Sequence, residues 1–153
     1  MLNFFLLIMM IACTESGRDI PTKNTETAIQ KNLLQMSAYA EKKEIDSFLA
    51  MFDDSENILL VGSDSSEIRS GKNEISGLVK EVMSKPYRIH WDFTDAKIYS
   101  SQNVAWAFSN KIIILEFDSG QKTISPYRLT TVWIKKGDQW KIRLFNGSVP
   151  GKG

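Results

Sequence analysis

"YRLTTVWIKKGDQWKIRLFNGSVP", residues Tyr127 to Pro150, decides the fold of this chain. Apolar residues recur at every second position on both sides of Lys136-Gly137-Asp138: Val132 and Ile134 before it, Trp140, Ile142 and Leu144 after it. A period of two marks strands with one buried face, and a glycine-containing turn between them closes an antiparallel hairpin. A three-residue loop at 136–138 predicts the pairs Ile134 with Trp140, Val132 with Ile142, Thr130 with Leu144 and Arg128 with Asn146, whereas a two-residue loop would oppose Leu129 to Asn146 and remove the last pairing. Asn146 and Ser148 then share the core-facing phase with Trp140, Ile142 and Leu144, unless a bulge intervenes. An inward Arg128 is too costly to bury alone, so it meets a carboxylate either of the protein or of a ligand. Both outcomes stay open at the level of sequence.

The same period extends upstream. Ile89, Trp91 and Phe93 alternate with Arg88, His90 and Asp92, and Val104, Trp106 and Phe108 alternate with small residues. "DSGQ" at 118–121 reads as a second hairpin turn. Before Pro86 the period is helical. Ile29, Leu33, Met36 and Ala40 predict one helix, Ile45, Phe48, Leu49 and Phe52 a second, and Ile75, Leu78, Val79, Val82 and Met83 a third that the proline stops. A short apolar run at 57–63 and a polar loop at 63–71 lie between the second and third. Helices followed by strands predict an α+β domain over residues 28–150, three helices packed in a curved antiparallel sheet.

With 153 residues the chain suits one domain, and 19 basic against 18 acidic residues leave no like-charge run that would point to nucleic acid. One histidine and one cysteine give no metal-ligand cluster, and no cofactor motif is present. "SGK" at 70–72 lacks the glycine and hydroxyl spacing of a phosphate loop. At the N-terminus, "MLNFFLLIMMIAC" is too short for a bilayer span of about 20 residues. An apolar run ending at a lone cysteine resembles a bacterial lipoprotein signal, although it carries no preceding basic residue. This predicts a signal at 1–12, lipidation at Cys13, a polar tether at 13–27, and attachment to the bacterial envelope facing the periplasm or exterior. A frayed helix or a misassigned start are the alternatives.

"EIDSFLAMFDDS", "RSGKNEI", "VAWAF", "YRLTTVWIKKGDQWKI" and the terminal "NGSVP", in that order, resemble the SnoaL-like branch of the nuclear-transport-factor-two-like superfamily. The resemblance implies a cone, a bent sheet around three helices with a deep pocket, commonly in a homodimer. The apolar load on both phases at Ile112, Ile113, Ile114 and Leu115 agrees with a covered outer face. In this branch a closing strand usually carries His-x-Ser-x-Pro, whereas this chain has Asn146-Gly147-Ser148-Val149-Pro150. The asparagine holds hydrogen bonds but cannot exchange protons near neutral pH. The isomerase base implied by the resemblance belongs in the strand after the second helix, and Ile58, Leu59, Leu60 and Val61 offer no carboxylate. Arg128, Asn146, Ser148, Trp106, His90 and Asp92 are therefore the expected ligand-binding residues, in a lipid-anchored module for a small apolar or carboxylated molecule. A cyclase or dehydratase using Asp92 and His90, and a protein-interaction domain, are the alternatives.

Overall fold

A computed structural model describes residues 23–151. The signal, Cys13 and the first part of the tether lie outside the described residues. Helix α1 (Lys23–Lys42) starts inside the expected tether and buries Ile29, Leu33, Met36 and Ala40 along one stripe. It ends where Lys43 turns left-handed, at φ +57°. Helix α2 (Ile45–Leu49) is shorter than its apolar pattern predicts. The backbone beyond it is captured by a neighbouring strand: Ile142 donates to Met51, and Asp53 donates to Ile142. Phe52 consequently lies beside Ile142 in a parallel bridge, buried but not helical. Helix α3 (Gly71–Ser84) buries Ile75, Leu78, Val79 and Met83. It stops at an extended Lys85, as the residue before a proline must.

Seven strands form the sheet: β1 (Leu59–Val61), β2 (Ile68–Ser70), β3 (Tyr87–Trp91), β4 (Lys97–Ser101), β5 (Val104–Phe117), β6 (Lys122–Lys136) and β7 (Gln139–Ser148). Their order is β2-β1-β7-β6-β5-β3, with β4 also on β5, and the sheet curls strongly around the helices. The α+β cone is thus present, with two differences in detail. Strand β2 falls in the stretch read as polar loop, and β1 runs parallel to β7. Helix α1 covers the β3 edge, where Ser37 Oγ accepts from the Trp91 N–H at 3.0 Å and donates to its carbonyl at 3.2 Å. Those backbone groups would otherwise be buried unpaired on an edge strand.

The hairpin that decides the fold is there, but in a different register. Lys136 pairs with Gln139, leaving a two-residue turn with Gly137 at φ +57° in its first position. Trp133 then pairs with Ile142 and Val132 with Leu144, so that Arg143 is an extra residue, a β-bulge. Before the bulge Ile142 faces inward; after it Phe145 and Gly147 do. Arg128 pairs with Ser148, not Asn146, and all three are exposed on the outer face. The expected polar end of the interior is therefore corrected. The bulge is pinned by its own side chain, since the Arg143 guanidinium donates to buried Asp53 at 2.7 Å. Lys136 stands 3.6 Å from the other Asp53 oxygen.

Candidate functional site

The curled sheet and α3 leave one end of the cone unfilled, enclosing a cavity of about 220 Å³. Leu78, Val79, Val82 and Met83 of α3 form one wall; Ile89, Ile113, Leu115 and Phe145 of the sheet form another. Phe48 and Trp91 close the inner end. This volume exceeds the roughly 150 Å³ that accommodates benzene in an engineered apolar cavity, so a compact one- or two-ring molecule fits the space.

The polar groups of the wall sit together. Glu67, in the turn between β1 and β2, contributes the only charged side chain among the described residues that line the cavity. Its neighbour Gly62 makes that position possible, because a Cβ there would lie 2.1 Å from Glu67 Oε2. The turn is held by Gly62 N–H donating to the Glu67 carbonyl at 2.8 Å, and by Asp64 N–H donating to Glu67 Oε2 at 3.2 Å. Opposite, the Tyr127 phenol packs on Gly147, where a Cβ would lie 1.9 Å from its oxygen. Burial, reinforced by the Glu67 carboxylate, pushes the Tyr127 phenol up to about 12, with Trp91 acting in the opposite sense. Burial likewise raises the Tyr87 phenol, and Glu67 and Glu81 add to it against Lys85. Both phenols are therefore neutral donors and acceptors at physiological pH. The buried Trp91 indole N–H faces the Tyr127 phenol and acts on it as a weak donor, outside ordinary hydrogen-bond geometry.

None of the residues expected from sequence lines this cavity. Arg128, Asn146 and Ser148 are on the outer face, for the reason of the bulge. Trp106 is also outside, 40% exposed and stacked on Tyr99 with ring centres 6.0 Å apart. The inward phase of β5 is instead Ala105, Ala107 and Ser109, all buried. Ala105 pairs with Trp133, whose ring fills the space a second large side chain would need. His90 occupies the strand phase opposite Ile89 and Trp91, exposed, with Nδ1 3.5 Å from a Glu41 oxygen. Asp92 accepts from the Thr94 hydroxyl and N–H at 2.6 and 2.9 Å, bonds that hold its carboxyl below the usual range and make it a turn residue. The acid and base pair expected of Asp92 and His90 therefore has no access to the cavity. Glu67 escaped the reading because it lies in the stretch taken for a polar loop. Its signal was indirect: Gly62 and Gly147, each pressed against one polar group of the wall.

A family model described as a SnoaL-like domain matches residues 29–152. No curated protein matches the sequence. Among solved structures, a candidate dehydratase of the NTF2-like family from Streptomyces avermitilis is 16% identical, with TM-score 0.70, covering 83% of this chain and 99% of its own. A candidate scytalone dehydratase from Novosphingobium aromaticivorans is 14% identical, with TM-score 0.68, over 82% of this chain and 84% of its own. A candidate calcium/calmodulin-dependent protein kinase II association domain from Xanthomonas campestris is 15% identical, with TM-score 0.68, over 84% and 89%. At these identities the likeness is one of fold. Together with the family match over most of its length, the curled sheet around three helices and the cavity at its open end make this chain a member of the SnoaL-like family.

Proposed function

We propose that the chain is a small-molecule-binding module, holding a compact and largely apolar molecule in the cavity with its polar end toward Glu67 and Tyr127. The observation that carries this reading is the composition of the wall. Apolar side chains line it almost throughout, and among the few polar groups the Glu67 carboxylate stands near enough to the Tyr87 and Tyr127 phenols to raise both, a usual build of a ligand site. Among the described residues no cationic side chain lines the cavity, so an uncharged or cationic ligand is favoured over a carboxylated one. A thermal-shift screen of one- and two-ring compounds tests the reading, with Val82→Phe as the control that fills the cavity from α3. Stabilisation of the wild type and not of a folded Val82→Phe supports it. A shift that survives the filled cavity, or the absence of any shift, overturns it.

A proton-transfer activity, like that suggested by the dehydratase names of two structural neighbours, would fall to Glu67 beside the two phenols. Glu67→Gln would then abolish turnover of a bound substrate and leave its binding measurable. Two further proposals concern the setting of the module. Attachment to the envelope through Cys13 is supported by the sequence "MMIAC" and is tested by fatty-acid labelling of the wild type against Cys13→Ser. Pairing of two copies through the outer sheet face is supported by the exposure of Tyr99, Val104, Trp106 and Phe108 on adjoining strands.

A further inference from the structure

We infer that the cavity selects an organic ammonium ion, a protonated amine carried on an apolar body, and that Glu67 is the residue that selects it. The inference rests on the binding reading above and adds the charge of the ligand. Three observations lead to it. Glu67 has no ion-pair partner among the described residues, although it is half-buried at the edge of an apolar space. Its Oε2 accepts a single 3.2 Å bond from Asp64 N–H, and a carboxylate has room for several donors. A carboxylate with unused acceptor positions at the edge of an apolar space is stabilised by a cation more than by any neutral partner.

Secondly, the rest of the polar end suits a cation as well. The Tyr87 and Tyr127 oxygens accept hydrogen bonds, and aromatic rings favour positive charge over negative at their faces. Thirdly, the buried Trp91 N–H has only a weak contact with the Tyr127 phenol, outside ordinary hydrogen-bond geometry, and belongs to a lining residue that is only 7% exposed. Flanked by near-parallel Phe48 and Phe93 and by an edge-on Phe145, the indole is held against the cavity wall. It supplies a donor for an acceptor atom of the ligand, a carbonyl, ether or hydroxyl oxygen near the amine. The chemistry is then a donor-bearing cation at Glu67 and an acceptor at Trp91.

The test compares three probes of one shape, 2-phenylethylamine, 2-phenylethanol and phenylacetate, by isothermal titration against the wild type and Glu67→Gln. The expected result is that the amine binds the wild type about ten- to a hundredfold more tightly than the alcohol, the range of one charge-assisted bond. Glu67→Gln should abolish that preference, so that amine and alcohol bind the variant with similar affinity. Phenylacetate should be the weakest ligand of the wild type. If the alcohol binds and the amine binds no better, or the preference survives Glu67→Gln, the ammonium inference fails and the binding reading stands. If none of the three binds the wild type, both fail. Gly62→Ala gives a second variant, since its Cβ at 2.1 Å from Oε2 displaces the carboxylate without removing it. It too should lose the preference; a folded Gly62→Ala that keeps it counts against Glu67.

Discussion

Replacing Gly147 by alanine tests the packing that builds the polar end of the cavity. Gly147 is not among the residues with positive φ, so its backbone accepts alanine without strain. By itself the substitution would stabilise the fold by about 0.4–1 kcal/mol, through the entropy of the unfolded chain. The new Cβ, however, would stand 1.9 Å from the Tyr127 oxygen and 2.7 Å from Cζ, neither a distance that bonded geometry can absorb. The ring is buried on β6, and its only free direction is into the cavity. Overpacking of this kind costs about 1–3 kcal/mol. The steric effect therefore wins, for a net loss of about 1.3 kcal/mol at mid-range and up to about 2.6 kcal/mol. Urea unfolding followed by tryptophan fluorescence reads this directly, and the midpoint of thermal unfolding should fall by roughly 4 °C per kcal/mol. Tyr127→Phe removes the nearest atom, so the double variant should recover about 1 kcal/mol relative to the sum of the single ones. A Gly147→Ala protein as stable as the wild type, or strict additivity of the two changes, would refute the argument.

Asp53 gives an acid-limb prediction. Burial works against its ionised form, but the neighbouring Ser55 hydroxyl and the Lys136 and Arg143 charges outweigh it and hold the carboxyl below its ordinary 3.8. The stabilisation is thus present above about pH 4 and lost as pH falls through the depressed value. Asp53→Asn should be less stable than wild type by about 1–3 kcal/mol at pH 7, and the gap should close in chemical denaturation below pH 4; a gap constant to pH 2 contradicts it. Tyr127 gives the opposite limb: its phenol, pushed up from 10.0 to about 12, contributes stability below pH 10 that is lost as pH rises toward 12. Tyr127→Phe should therefore lose less stability than wild type between pH 10 and 12, and parallel curves would exclude that assignment. On the outer face, Trp106→Glu should convert a dimer to a monomer in analytical ultracentrifugation while leaving monomer unfolding within about 0.5 kcal/mol. A wild type that is monomeric at micromolar concentration removes the pairing.

Much of the fold was legible because periodicity survives single-residue errors. The stripe of α1 and the period of α3 are reported by many residues each, and Pro86 marks the change to strands. Short elements were less legible. Phe52 continues the apolar spacing of α2, yet hydrogen bonds from Ile142, 90 residues away in sequence, set its conformation. No local pattern encodes that partner. Trp106 shows the limit of hydrophobicity as a guide to direction. Val104, Trp106 and Phe108 form the bulkier phase of β5, but Trp133 and the helices leave room inside only for Ala105, Ala107 and Ser109. Where two elements compete for one interior, the smaller phase can be the buried one.

The candidate site was less legible still, because its direction depends on one residue. A single extra position at Arg143 reverses every side chain that follows, and an alternation read across it assigns Asn146 and Ser148 to the wrong face. An apolar pattern continuing through Leu144 gives no warning. Glycine does. After the bulge the inward sequence is Phe145 then Gly147, and an inward glycine in a strand marks a place where another group approaches closely. Here that group is the Tyr127 phenol, just as the carboxylate of Glu67 occupies the space beside Gly62. Two glycines thus set the depth at which two polar groups stand around an apolar cavity. A ligand meets those groups at positions fixed by the absence of two side chains, and an absent side chain carries no charge or bulk that marks the site in a sequence.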